Sequence, residues 1–104
     1  MKNASVLGLL SAFLAAVAFG QSSNSRFPKA GAVPDEATAI KIAEAVLLPV
    51  YGEDLINKER PLHARCDKGI WTVYGTLPPH TLGGTVMVRM RKKDGKILEI
   101  FHSV

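Results

Sequence analysis

The sequence predicts an α+β domain in which one amphipathic helix covers a four-stranded antiparallel meander. Three observations predict it. Apolar residues recur at spacings of three and four across Pro34–Gly52. After Pro61 the pattern changes to alternation with period two. Asp67-Lys68-Gly69 and Asp94-Gly95 then punctuate the alternating runs as hairpin turns.

The helix comes first. Asp35 is suited to cap its N-terminus, and Glu36 places a carboxylate in the first turn, where the helix dipole favours negative charge. Ala39, Ile40, Ala43, Val46, Leu47 and Val50 form the apolar stripe, and Lys41 and Glu44 lie off it. Pro49 lacks an N–H, so the helix is expected to end near Leu48 or to kink there, with Gly52 as the stop. A helix of this length is marginal alone in water and needs a partner surface. Glu53–Arg60 predicts a short helical turn anchored by Leu55 and Ile56 and closed by Pro61.

The strands supply that surface. Pairing Cys66 with Trp71 puts Leu62, Ala64, Cys66, Trp71, Val73, Gly75 and Leu77 on one face. Gly75, without a side chain there, predicts a close approach by the helix or a bend in the sheet. Pro78–Gly84 reads as a loop. In Thr85–Arg91, Val86, Val88 and Met90 share a face, and Ile97–His102 is the last strand. A three-residue turn, Lys93-Asp94-Gly95, sets Met90 against Leu98, Val88 against Ile100 and Arg89 against Glu99. A two-residue turn would invert both faces. The opposite face then carries Tyr74, Met87, Arg89, Arg91, Ile97, Glu99 and Phe101. Met, Tyr, Phe and Arg are the residue types enriched at protein interfaces.

The N-terminal stretch reads as an address rather than as part of the domain. Lys2 precedes an apolar or small run from Val6 to Phe19, shorter than the ~20 residues of a membrane span. Small residues follow, the pattern of a secretory signal peptide cleaved after Gly20, with Ala18 as the rival site and an uncleaved membrane anchor as the less favoured reading. Removal of residues 1–20 from the 104 leaves 84. Residues 21–32 lack periodicity and read as a flexible lead, so the domain spans 33–104. Export predicts a periplasmic protein with no stable membrane association once the signal is removed.

No arrangement of residues in the chain points to catalysis or metal binding. His63 and Cys66, three apart on a strand, point to opposite faces and cannot share a metal. Cys66 is the single cysteine, so it has no internal disulfide partner; it is expected as a buried small hydrophobe, with an intermolecular bridge as the less favoured alternative. The serines concentrate in the lead, and no carboxylate pair is spaced for acid–base work. Gly83-Gly84 is followed by neither a lysine nor a helix start, so it is no phosphate loop. The net charge of +4 is mild; Arg89, Arg91, Lys92, Lys93 and Lys96 surround one turn, which reads as a solvated tip rather than a nucleic-acid face. No catalytic residue, cofactor or metal is expected.

The ordered set Val33-Pro34-Asp35-Glu36, Ala39–Ala45, Pro49-Val50-Tyr51-Gly52, Trp71–Pro78, Gly83-Gly84 and Asp94–Leu98 resembles a bacterial immunity-protein family with the nuclear transport factor two-like, cystatin-like fold. The resemblance covers about Gly31 to His102. It implies an antidote that binds and blocks a cognate toxin by occlusion, without catalytic residues. Its full fold usually has more helices and a larger sheet than this chain provides. The expected partner-binding residues are Tyr74, Met87, Arg89 and Phe101 on the outer sheet face, with the Pro78–Gly84 loop as the alternative contact. A homodimer is a further partnership left open by the sequence. The competing reading is a periplasmic peptide- or ligand-binding module, or a protease inhibitor, with a concave pocket near Trp71. An enzyme ranks last, because no inward carboxylate–histidine pair is visible in the sequence; an inward-facing Asp–His contact would revive it.

Overall fold

A computed structural model describes residues 26–104. The expected signal peptide and the first part of the lead lie outside the described residues. Helix α1 spans Glu36–Tyr51, and a short α2 spans Glu53–Lys58. Strands β1 (His63–Asp67), β2 (Ile70–Tyr74), β3 (Val86–Arg91) and β4 (Ile97–His102) follow. They form one antiparallel sheet in the order β1-β2-β3-β4, the meander expected from the alternation and turns.

Asp35 caps α1 as its chemistry predicts: its carboxylate accepts from the Thr38 N–H at 2.9 Å and from the Thr38 hydroxyl at 2.6 Å. Those two bonds hold the Asp35 carboxyl below its ordinary pKa. The helix does not stop at Leu48. It runs through Pro49 to Tyr51, and the Gly52 N–H closes it on the Leu48 carbonyl at 2.9 Å. Pro49 thus sits in the last turn, where a missing hydrogen bond costs least in continuity. Ala39, Ala43 and Leu47 are fully buried, and Ile40, Ile42, Val46 and Leu48 pack beside them. Val50, assigned to the buried stripe, is exposed. The contact line follows the i, i+4 row from Ala39 to Leu47 and leaves the sheet before Val50.

The core is this row against Trp71, Val73, Val86, Val88 and Met90, with Val33, Ile56 and Leu62. Burying each large aliphatic side chain contributes about 1.5–3 kcal/mol. Trp71, which the rival reading placed at a ligand pocket, belongs to this core: it is 5% exposed and its indole N–H donates to the Val33 carbonyl at 2.7 Å. That bond fixes the chain just before the helix cap. The Ala32 and Val33 N–H groups donate to Lys93 and Lys92 carbonyls, so the end of the lead is tied to the β3–β4 turn.

Two hairpins set the register. Cys66 pairs with Trp71, and Lys68 and Gly69 both have positive φ, as a two-residue turn between right-twisting strands requires. Cys66 itself is exposed rather than buried. It lies on an edge strand, and the segment that crosses this end of the sheet is bonded to Trp71, one strand inward. In the second hairpin Val88 faces Ile100 and Arg89 faces Glu99, as predicted. The turn, however, has four residues: the Arg91 N–H bonds to the Lys96 carbonyl, and the Gly95 N–H bonds back to Arg91. A register shift between Arg89 and Met90 absorbs the extra residue. Met90 therefore faces Ile97, not Leu98. Ile97, expected on the outer face, packs against the core, and Leu98 is exposed.

Helix α1 lies over β1, β2 and β3. Ile100 is on the helix side of the edge strand β4 and is only partly covered, 37% exposed, although Val88 beside it is fully buried.

Gly75 makes the predicted close approach, but to a different element. A Cβ there would stand 2.8 Å from Glu59 Oε1 and 2.9 Å from Glu59 Cβ. The group that approaches is thus the residue after α2, not the main helix.

Candidate functional site

Strand alternation and register assemble the four expected contact residues on one surface. On the outer face, His63, Tyr74, Met87 and Phe101 are consecutive cross-strand neighbours and form a row across all four strands. With strands about 4.8 Å apart, that row spans about 14 Å. The next row is Arg65, Thr72, Arg89 and Glu99. Tyr74, Met87, Arg89 and Phe101 are all half-buried, each sheltered by its neighbours yet reachable. Arg89 donates to Glu99 at 2.8 Å. The sequence argument omitted His63, whose ring lies 5.5 Å from that of Tyr74. The Thr76 hydroxyl donates its proton to the Pro61 carbonyl, so His63 Nε2, 2.8 Å from Thr76 Oγ1, donates to that hydroxyl oxygen. The alternation of β1 already placed His63 opposite Ala64 and could have revealed it.

The surface is bounded by charge at one end and by a loop at the other. Arg91 clasps Asp94 through two nitrogens across the β3–β4 turn, and Asp94 also accepts from the Lys96 N–H. These bonds hold the Asp94 carboxyl far below its ordinary pKa, Arg91 contributing most. At the other end the segment between β2 and β3 exposes Leu77 and Leu82, the latter 98% exposed. Leu77, Gly83 and Gly84 border the same depression as Tyr74 and Met87.

A carboxylate–histidine pair that sequence reading missed lies on the helix side. Glu59, only 3% exposed, accepts from the Val86 N–H at 2.7 Å through Oε1. Its Oε2 lies 3.0 Å from His102 Nε2. The other ring nitrogen of His102 faces the Ser103 carbonyl at 2.9 Å, and the ring stands 6.0 Å from that of Tyr51. The two residues are 43 apart in sequence, and no local spacing links them. Both carboxylate oxygens are engaged, one of them by backbone, which suits a clasp between α2, β3 and β4. Beside it lies an open, mainly apolar cleft of about 430 Å³ lined in part by Leu55, Leu77, Leu82 and His102.

Among the described residues, no three His, Cys, Asp or Glu side chains converge as metal ligands. No described helix is long and apolar enough to cross a membrane.

The family described as NTF2 fold immunity protein matches residues 38–104, from the first turn of α1 to the end of β4 and beyond. The chain belongs to this family. The family members' fold agrees with the helix-on-sheet architecture found here. Two relatives come from Escherichia coli strain K12. Uncharacterized protein YhhH is 28% identical over 81 residues, covering 77% of this chain and 64% of that protein. Uncharacterized protein YbbC is 33% identical over 72 residues, covering 68% of this chain and 59% of that protein. The chain thus spans somewhat under two thirds of the length of the curated relatives it matches. No solved structure matches it.

Proposed function

We propose that this member of the immunity family is exported to the periplasm, where it binds a cognate bacterial toxin and blocks it by occlusion. The contact surface is the outer sheet face, with Tyr74, Met87, Arg89 and Phe101 as anchors and the 78–84 loop as an adjoining contact. The observation that carries the reading is the single row of Tyr74, Met87 and Phe101 beside Arg89, on a face that no helix of the described residues covers. Aromatic and Arg anchors in a sheltered setting are the side chains that dominate interface energies. Occlusion needs no catalytic group. The apolar run Val6–Phe19 motivates the export.

Co-expression with candidate bacterial toxins, both proteins directed to the periplasm, tests this. Cells carrying the wild-type chain are expected to survive, and cells carrying Phe101→Asp to die although the variant accumulates folded. Equal killing with and without the wild-type chain overturns the proposal.

The cleft beside His102 favours one second reading, a binding site for an apolar peptide side chain. Saturable binding of leucine-rich peptides, lost in Leu82→Asp, would support it; no binding at all would remove it.

A further inference from the structure

The net charge of the chain is not spread over it. Residues 1–62 hold six Lys or Arg against six Asp or Glu, whereas residues 63–104 hold seven against three. The whole formal excess of +4 therefore belongs to the sheet half. Within that half, the face under the helix is built from Trp71, Val73, Val86, Val88 and Met90, so the charges are confined to the outer face and the two turns. The turns lie at the same end of the sheet, joined by the Lys92 N–H donating to the Gly69 carbonyl at 2.9 Å. Two of the three carboxylates, Glu99 and Asp94, are already committed to Arg89 and Arg91. Arg65, Lys68, Lys92, Lys93 and Lys96 make no ion pair among the described residues.

A depression opens within this basic surface. It has a volume of about 560 Å³ and is lined by Arg65, Asp67, Lys68, Ile70, Thr72 and Arg89. Three cations and one carboxylate thus surround a hollow roomy enough for a side chain, immediately beside the Tyr74–Met87–Phe101 row.

We infer that the partner meeting this face is an acidic protein surface, and that one of its carboxylates seats in the groove between Arg65, Lys68 and Arg89. The identity of that partner as a toxin rests on the function proposed above; its charge rests on the groove. The cations are interleaved with Asp67, Asp94 and Glu99, which would repel a continuous phosphate chain but accommodate separate carboxylates. The adjoining apolar row would contact the rim of such a protein surface, not a lipid headgroup layer.

Binding of a fluorescent glutamate-rich peptide to the protein purified after expression of the full chain tests this. A lysine-rich peptide, phosphatidylglycerol vesicles and a single-stranded DNA oligonucleotide are the other arms. The glutamate peptide is expected to bind, and to bind about tenfold more weakly when salt rises from about 50 to about 300 mM. The Arg65→Glu/Lys68→Glu double variant is expected to lose about tenfold or more, and Lys41→Glu on the exposed side of α1 to lose nothing. The inference is overturned if the glutamate peptide fails to bind, if the double variant binds it as well as wild type, or if vesicles or DNA bind more tightly. The toxin assay separates the two ideas. Full protection by the double variant, with protection lost in Phe101→Asp, sinks the acidic partner and leaves the immunity reading intact. Absence of protection by wild type sinks the immunity reading and leaves the peptide result to decide the charge.

Discussion

Glu59→Ala is expected to destabilise the fold by about 3 kcal/mol, because it strands a buried backbone donor and opens a cavity at the same point. The Val86 N–H begins β3 and has the Glu59 carboxylate as its acceptor at 2.7 Å. His102, near the end of β4, loses its partner with the same substitution. The side chain is also wedged against Gly75, so its removal leaves space that the sheet cannot close without moving. A domain of this size has a stability of only about 5–10 kcal/mol, so the loss should be plain in a urea transition. Glu59→Gln keeps the shape and an acceptor for Val86, and is expected to cost about 1 kcal/mol. Equal midpoints for Glu59→Ala and wild type would contradict the clasp.

Trp71→Ala is expected to cost about 4 kcal/mol, the largest effect of any single core substitution here. The side chain is nearly fully buried under the helix, and its indole N–H donates to the Val33 carbonyl. Trp71→Phe separates the two contributions. It retains most of the ring volume but leaves the Val33 carbonyl without its donor, at a cost of about 1–3 kcal/mol. Because Val33 precedes the Asp35 cap, amide exchange in the first turn of α1 should quicken in Trp71→Phe more than exchange in β3. A uniform change across the domain would mean that Trp71 does not fix the helix start.

The architecture was legible because each element announces itself locally. Asp35 marks the helix start, Asp67-Lys68-Gly69 and Asp94-Gly95 mark the hairpins, and alternation fixes which face Val88 and Arg89 take. Position along the sheet was not legible. Alternation says that Cys66 and Ile100 point to the helix side, yet both are exposed: Ile100 lies on β4, beyond the strands under α1, and Cys66 lies at the turn end of β1, where the segment before the helix is bonded to Trp71, one strand inward. The bulge near Leu98 escaped for a related reason. A four-residue turn with a bulge and a three-residue turn without one give the same Val88–Ile100 pairing, so apolar matching could not distinguish them. Only Ile97 and Leu98 exchange faces between the two.

The outer-face row was legible in parity and incomplete in membership. Tyr74, Met87, Arg89 and Phe101 fall together because they share strand phase, whereas His63 and Arg65 were in phase on β1 and were left out. The Glu59–His102 pair had no sequence signal. It depends on where the chain after α2 meets the ends of β3 and β4, which is a tertiary fact. The groove among Arg65, Lys68 and Arg89 likewise arises from three separate strands and a turn, although the charge excess of residues 63–104 could be counted from the chain alone.

The affinity of the purified protein for a toxin that it protects against in the co-expression assay, measured by calorimetry for wild type, Met87→Asp and Lys41→Glu, tests the proposal that the outer face is the binding face. Met87 lies between Tyr74 and Phe101 in the middle of the row, and a charge there should weaken binding about 30-fold or more. Lys41→Glu on the helix should leave affinity unchanged, with both variants folded. Wild-type affinity in Met87→Asp, or its loss in Lys41→Glu alone, would place the contact elsewhere.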